Sequence, residues 1–360
     1  MASILFVIPY PTGRAPSQRF RFEQYFDVLT AHGHRYRLAP FLTVATWSIL
    51  YQPGHVAAKV LGILGGLARR VGLLFAVPAY DFVFIHREAA PIGPPVFEWA
   101  IAKLLGKRVI YDFDDAIWMR DPAGEQTFIS RLKWQQKVGR ICGWAHKVSC
   151  GNDYLRDYAR QFNPAAVINP TTLDTDHLHN QVRDQHLTAD QPVVVGWTGT
   201  HTTLRHLDLV WPALLRLERE GHRFECRVIA NLAPAPAGLH ALVYRPWRKD
   251  TEIADLLGFH FGLMPLVDDP WARGKCAFKA LQYMALGMPA LVSPVGMNTE
   301  VVQHGQNGYV CATDEEWYQA TQRLLTDEPL RARLGAAARR TIVERYSVAS
   351  NQANFLALFS

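Results

Sequence analysis

The sequence is poor in cysteine, in charged side chains and in long uninterrupted apolar runs. Its five cysteines are odd in number and far apart, so neither a zinc motif nor a disulfide scaffold is expected. No basic leader precedes the apolar run Ile4–Ile8, which argues against a secretory signal. These features favour a reduced, cytoplasmic protein with no metal and no other bound cofactor.

Charged residues make up 19% of the chain, and the positive excess lies in its first half. Residues 1–170 hold 20 Lys and Arg against 12 Asp and Glu, a balance of +8, whereas the remainder holds 18 against 20. The basic half of the chain could bind nucleic acid, an anionic membrane or a phosphorylated substrate, or its charges could simply be solvated at the surface. Nucleic acid is not expected, because no aromatic–basic recognition motif accompanies the charge.

The longest apolar stretch, Val56–Val77, is interrupted by Lys59, Arg69, Arg70 and four glycines. It is too interrupted for a transmembrane span. It is either a basic helix lying on a membrane or an internal helix pair over a sheet. The sequence thus suggests a peripheral contact with the inner face of an anionic cell membrane.

Short apolar runs alternate with helical patterns along the whole chain. Helices are predicted from Ser17 to Gly33 and over 96–105, 126–143, 203–220, 277–287 and 314–345. The predicted strands are Ile4–Ile8, Phe82–Ile85, Arg108–Tyr111, Val148–Cys150, Val167–Ile168, Val193–Trp197, Arg227–Ala230, Leu242–Tyr244, Gly262–Pro265, Ala290–Ser293 and Tyr309–Cys311. This alternation predicts an α/β protein with doubly wound parallel sheets.

A polar stretch, in which apolar residues do not recur at regular spacing, divides the chain into two predicted domains. We expect a first domain at 1–170, a linker at 171–191, a second domain at 192–340, and a C-terminal helix within 341–360 that packs back on the first. Ligands of such sheets bind beyond the carboxyl ends of the strands. Two Rossmann-like domains would face each other across a cleft.

The region from Pro270 to Val310 carries the strongest chemical signal. A helix is predicted to start near Ala277. If it includes Lys275, then Lys275, Lys279 and Gln282 lie on one narrow stripe. Two cations near a helix start suit an anion such as a diphosphate, although a solvated polar stripe has the same spacing.

Several segments together resemble family 4 retaining glycosyltransferases of the GT-B fold, in a bacterial branch. They are the run from Gly274 to Pro289, Ser293–Glu300, Gly305–Gly308, Pro16–Arg19 with Arg21, Tyr111–Trp118 and Val195–Gly199. The resemblance implies transfer of a sugar from a nucleoside diphosphate sugar to an acceptor hydroxyl, with retention of configuration. It suggests cell-surface polysaccharide or glycolipid synthesis on a glycan or lipid-linked acceptor.

The resemblance also suggests roles for individual residues. Lys275 and Lys279 are the expected catalytic cations, and Asp114 the group that orients or deprotonates the acceptor. The expected donor-binding residues are Gly199, Thr200, Arg205, Gln282, Asn298 and Glu300. The expected acceptor-side residues are Arg19, His86, Asp112 and Asp115.

One departure from the family pattern leaves two rival functions open. The family has two glutamates separated by seven residues, and Gly274 and Gln282 stand at those positions. Gln282 can still hold ribose hydroxyls, but Gly274 offers no side chain to the donor sugar. The rivals are a sugar-nucleotide epimerase of the same fold and a non-catalytic sugar-nucleotide- or lipid-binding protein. The aspartates of Asp112–Asp115 can equally cap a helix or pair with an arginine.

Overall fold

A computed structural model of the chain describes residues 1–50, 52–119, 134–188, 191–235 and 238–360. These residues form two compact units: Met1–Thr171 together with Asn351–Ser360, and Thr172–Ser350. Most of the segment expected to be a linker, 171–191, therefore belongs to the second unit. Part of the predicted helix 126–143, residues 126–133, lies outside the described residues.

The first unit contains a parallel six-stranded sheet with the order β2-β1-β3-β4-β5-β6. The strands are β1 (Ser3–Ile8), β2 (Arg35–Pro40), β3 (Phe82–His86), β4 (Arg108–Phe113), β5 (Lys147–Cys150) and β6 (Ala166–Ile168). Its helices are α1 (Pro16–Arg19), α2 (Phe26–Ala31), α3 (Val44–Leu50), α4 (Val56–Ala76), α5 (Val96–Trp99), α6 (Lys137–Trp144) and α7 (Asp153–Arg160). The end of the chain also joins this unit, where Phe355 stacks on Tyr25 at a centroid distance of 4.2 Å.

The second unit contains another parallel six-stranded sheet, with the order β12-β11-β10-β7-β8-β9. The strands are β7 (Val193–Gly199), β8 (Phe224–Ala230), β9 (Leu242–Pro246), β10 (Phe261–Met264), β11 (Ala290–Val292) and β12 (Gly308–Val310). Its helices are α8 (Trp211–Arg219), α9 (Glu252–Leu257), α10 (Pro270–Arg273), α11 (Phe278–Ala285), α12 (Asn298–Val301), α13 (Asp314–Thr326) and α14 (Glu328–Arg345); α15 (Val348–Leu356) runs on into the first unit.

These sheets confirm the predicted pair of doubly wound parallel sheets. In each sheet the chain changes winding direction once, between β1 and β3 and between β7 and β10. The carboxyl ends of the two strands at such a switch point flank the crevice in which ligands of this fold class bind. The end of β7 and the end of β10 therefore locate the expected ligand site of the second unit.

Several local predictions are wrong. The helices predicted at 203–220 and 314–345 are each divided, into the 3₁₀ segment His201–Leu209 with α8 and into α13 with α14. The edge strand β2 was not predicted, because Arg35 and Arg37 alternate with half-buried residues and give no apolar run. The helix predicted from Ser17 is broken into α1, a 3₁₀ turn at Glu23–Tyr25 and α2. Phe20, Arg21 and Phe22 are all buried, and a continuous surface helix would bury only one of three successive residues.

Helix α4 is a single helix of 21 residues whose inner side is held by Arg70. The Arg70 guanidinium is buried and donates to the carbonyl oxygens of Ile8, Ala39 and Ala89 at 2.6–2.9 Å. Burial lowers the pKa of Arg70 to about 10, with Glu98 opposing part of that shift, so the side chain remains charged at neutral pH. Arg70 is therefore a structural cation and not part of a membrane-facing basic surface.

The second unit depends on a close approach of α11 to its sheet. A Cβ atom on Gly262 would lie 2.1 Å from the Tyr283 ring, so only glycine fits on β10 at this point. The Tyr283 hydroxyl then accepts a hydrogen bond from the Thr198 amide at 3.0 Å. This contact ties α11 to the carboxyl end of β7.

We predict that Gly262→Ala destabilises the second unit by about 1–3 kcal/mol, because the added methyl group must displace the Tyr283 ring. Gly72→Ala is the matched control, since nothing lies within 4 Å of the added Cβ on α4 and alanine is the better helix former by about 1 kcal/mol. Chemical denaturation of both variants measures this. Equal stability of the two variants would contradict the prediction.

Candidate functional site

A buried histidine lies at the switch point of the second unit. His206 belongs to the 3₁₀ segment His201–Leu209 that follows β7, and it is 2% exposed. Its Nδ1 accepts the Val267 amide at 3.2 Å, beyond the end of β10. The neutral ring therefore carries its proton on Nε2. No partner for Nε2 occurs within the described part of the chain, so this N–H can donate to a ligand.

Three cations act electrostatically on this imidazole. Burial and then the positive charges of Lys279, Arg205 and Lys275 lower the pKa of His206 to about 4, and Asp269 opposes them. The Arg205 guanidinium lies 3.4 Å from the Asp269 carboxylate. Positive charge concentrated at one place favours an anionic ligand.

Lys279 and Lys275 differ in their placement. Helix α11 starts at Phe278, after Ala277 in a left-handed conformation with φ 53°. Lys275 therefore precedes the helix. It does not share a helical stripe with Lys279 and Gln282. The Lys279 ammonium lies 5.5 Å from the ring centroid of buried Trp197 on β7. Lys279 is thus held in the first turn of α11, where the helix dipole also favours anions.

Two buried amides of the same region each keep one atom without a hydrogen bond. They are Gln282 Nε2 on α11 and Asn298 Oδ1 at the start of α12, in residues 2% and 1% exposed. The Asn298 Nδ2 group donates to the Ser293 carbonyl at 3.1 Å, which fixes the side chain. Unpaired buried polar atoms are uncommon and call for a partner such as a ligand or water.

The remaining predicted donor residues have local roles in the structure. Gly199 ends β7, and Thr200 caps the following 3₁₀ segment in a capping box with Thr203. Glu300 is exposed on the short helix α12. Thr200 therefore positions Arg205 and His206, which the same segment carries.

The first unit buries two of the predicted acceptor-side residues. Asp112 and His86 are both 0% exposed. Asp112 pairs with the Arg21 guanidinium and accepts hydrogen bonds from His86 Nδ1 at 2.8 Å and the Ser149 hydroxyl at 2.6 Å. Although burial alone would raise the pKa of Asp112, Arg21 and the hydrogen bond from His86 lower it well below its usual range.

This network gives Asp112 and His86 buried partners, and their predicted acceptor-side role stays a prediction. Arg21 also donates to the Asn169 carbonyl beside β6, so the cluster joins distant parts of the chain. A carboxylate enclosed in this way has a structural role in the first unit. The pairing of Asp112 with an arginine was one of the alternatives that the sequence left open.

Asp114 and Asp115 lie in a partly open position and share one cation. Arg87, which follows β3 with φ 58°, donates to Asp114 at 2.7 and 2.9 Å and to Asp115 at 2.7 Å. The three side chains are 14–24% exposed. Arg19 is half-buried, with its guanidinium 4.8 Å from the Phe20 ring centroid.

Sequence reasoning missed His206, Arg87 and the role of Arg21. His206 directly follows Arg205, and Arg87 lies within the segment His86-Arg87-Glu88, so each was next to a residue already singled out. The signal that was available is position: both follow the carboxyl end of a strand beside a switch point.

We predict that the difference in unfolding free energy between the wild type and His206→Asn is smaller in acid than at neutral pH. Since His206 is held neutral in the fold, protonation between its ordinary pKa of 6.5 and about 4 favours unfolding of the wild type. The asparagine side chain of the variant keeps an acceptor for the Val267 amide but does not titrate. Chemical denaturation at pH 7.5 and 4.5 should therefore show a smaller difference between the proteins at the lower pH. An unchanged difference would contradict the assignment.

Part of the chain matches known proteins in sequence. Residues 275–341 match the family of glycosyl transferases group 1. Over 100 residues the chain is 34% identical to N-acetyl-alpha-D-glucosaminyl L-malate synthase of Bacillus anthracis, an alignment that covers 27% of this chain and 25% of the relative. The matched part thus spans about a quarter of that relative.

Solved structures match over nearly the whole chain. Sucrose-phosphate synthase of Thermosynechococcus elongatus superposes with a TM-score of 0.70 and 15% identity, covering 100% of this chain and 98% of that one. HepE of Anabaena in complex with UDP-glucose superposes with a TM-score of 0.65 and 14% identity, covering 99% and 100%. The chain therefore has the GT-B fold, and its residues 275–341 match the group 1 glycosyl transferase family.

Proposed function

We propose that the protein transfers a sugar from a nucleoside diphosphate sugar to an acceptor hydroxyl. The observation that carries this proposal is the group of Lys275, Lys279 and Arg205 around neutral His206, at the carboxyl ends of β7 and β10. The family match begins at Lys275, and the structural relative HepE has been solved with UDP-glucose. A diphosphate supplies the negative charge that this site favours.

In this proposal the cations act on the leaving group. Charge builds up on the diphosphate as the bond to the sugar breaks, and fixed cations and N–H donors stabilise it most at that stage. Lys279, in the first turn of α11, would meet this charge directly. The Nε2–H of His206 adds a neutral donor that does not titrate near pH 7. Gln282 and Asn298 bind hydroxyl groups of the donor through their unpaired amide atoms.

The donor sugar would be held in a different way from the family pattern. Gly274, where the family has a glutamate, ends helix α10 and presents only backbone. We propose that backbone groups and water contact the sugar there, and that transfer retains the anomeric configuration. The configuration of the product, determined by NMR, tests this part separately.

For the first unit we propose the acceptor role, with a glycan or lipid-linked acceptor of cell-surface polysaccharide or glycolipid synthesis on the cytoplasmic side. Asp114 and Asp115, partly exposed beside Arg87, are the groups that would orient the acceptor hydroxyl. Because both carboxylates already accept hydrogen bonds from Arg87, orientation suits them better than proton removal.

The replacement by Gly274 favours one alternative, a non-catalytic protein that binds sugar nucleotides. Thermal shift with a panel of nucleoside diphosphates tests ligand binding, since a ligand of the native state raises the melting temperature. Turnover of the matching sugar nucleotide with an acceptor pool tests transfer. Binding without turnover would support the alternative, and conversion of the donor into its epimer would support an epimerase.

We predict that Lys279→Ala lowers kcat by about 100-fold, because it removes a charge that acts mainly in the transition state. Gln282→Ala should chiefly raise the donor KM, by a factor corresponding to about 1–3 kcal/mol for a buried hydroxyl left unpaired. Steady-state kinetics of both variants measure the difference.

Lys249→Ala is the matched control for these two variants, since Lys249 is an exposed lysine of the same unit. It should leave kcat and KM unchanged. If folded Lys279→Ala and Gln282→Ala variants behaved like this control, the donor site would have to lie elsewhere.

We also predict that transfer continues in the presence of a metal chelator. The Asp112 carboxylate is enclosed with Arg21, and those of Asp114 and Asp115 bind Arg87, so this aspartate group already has cationic partners. Initial rates with and without EDTA should agree. Loss of activity in EDTA that is restored by a divalent ion would reject the prediction.

A further inference from the structure

One side of α4 exposes an unusual number of large apolar side chains. The set is 49–85% exposed and is called here the apolar helix face: Val56, Val60, Leu61, Leu64, Val71 and Phe75. At 100° per residue they fall within an arc of about 140°. The segment Val56–Ala79 is long and apolar enough to cross a membrane by length and composition, and 22% of its apolar window is buried.

The inner side of α4 shows that the helix lies on the first unit. Arg70 donates to three backbone carbonyls within that unit. A Cβ atom on Gly66 would lie 2.6 Å from the Phe41 ring, so the helix approaches its neighbours closely. A transmembrane placement would break these contacts and bring the Arg70 charge into hydrocarbon, which is costly. The apolar helix face can enter only the interface of a membrane.

A basic pocket of about 330 Å³ adjoins this face. This arginine pocket is lined by β2, the turn that follows it and α4. Among the described residues, its lining includes Arg37, Arg69 and Arg70 and no acidic residue. Arg37 is exposed, and Arg69 is exposed with one nitrogen donating to the Phe41 carbonyl at 2.6 Å. The pocket therefore suits a small anion.

The position of the pocket relative to the helix follows from helix geometry. Gly72, Ala76 and Arg69, which line the pocket, lie about 20°, 60° and 80° beyond the edge of the apolar arc at Leu61. A helix at a membrane surface inserts its apolar side below the headgroups, and cations on its flank then lie at the level of the lipid phosphates. The arginine pocket is on that flank.

We propose that the arginine pocket binds the phosphate of an anionic phospholipid while the apolar helix face inserts among the lipid chains. This assigns a lipid-binding site to the first unit, separate from the residues proposed for sugar transfer. Within the pocket, Arg37 and Arg69 are the cations that would meet the phosphate, since the Arg70 guanidinium already donates to three backbone carbonyls. A second copy of the chain is the other occupant that an apolar face suggests, but two arginine pockets brought together would repel each other.

The test is co-sedimentation of the full chain with vesicles of phosphatidylcholine alone or mixed with phosphatidylglycerol. The wild type should bind the mixed vesicles more tightly, and added salt should weaken that binding. Arg37→Gln should reduce the partition coefficient roughly five-fold, as expected for one basic residue at an anionic surface. Phe75→Ser should reduce it as well.

Arg140→Gln is the matched control, because Arg140 is an exposed arginine of the same unit on another helix. It should bind like the wild type. If Arg37→Gln and Arg140→Gln lost vesicle binding to the same extent, the assignment of the lipid site to the arginine pocket would be wrong. Equal binding of the wild type to both kinds of vesicle would also contradict it. A wild-type dimer that Phe75→Ser converts to a monomer, measured by light scattering, would identify the face as a subunit interface instead.

Thermal shift with a nucleoside diphosphate distinguishes failure of this proposal from failure of the proposed function. Arg37→Gln and Phe75→Ser should respond to the nucleotide like the wild type, since neither residue lies in the second unit. Loss of vesicle binding with an intact nucleotide response then reports on the lipid site alone.

Discussion

The close packing of α11 on its sheet is the constraint on which the rest of the second unit depends. Glycine at position 262 lets Tyr283 lie against β10, and the Tyr283 hydroxyl bonds to the Thr198 amide at the end of β7. This brings Lys279 beside Trp197. A larger residue at 262 would move the start of α11 away from β7, and with it the proposed leaving-group site.

His206 is the centre of that site because of how its ring is held. The Val267 amide occupies Nδ1, and burial among cations keeps the ring neutral. A neutral N–H donor among positive charges can give the ligand a hydrogen bond. It adds no further positive charge to the site when the ligand is absent. In the proposed function a diphosphate would thus meet fixed dipoles as well as full charges, and such preorganised groups stabilise developing charge without rearranging.

The first unit uses its charges mainly for its own structure. Asp112 is enclosed by Arg21, His86 and Ser149, and Arg70 joins three backbone carbonyls. Removing one member of such a buried set leaves the others unpaired, so these residues are poor choices as mobile catalytic groups. The basic balance of this half is therefore only partly available to ligands, and Arg37 and Arg69 at the flank of α4 are two of its exposed members.

The sequence alone determined the alternation of strands and helices, and with it the fold, because periodic apolar runs are local. It also located the segment around Lys279 and Gln282. Only the tertiary structure decided which polar residues meet: Arg21 and Asp112 are 91 positions apart, and His206 and Val267 are 61 apart. It also decided that Arg70 points inward whereas Phe75 stays exposed. Such choices depend on packing between elements distant in the chain, which no local pattern records.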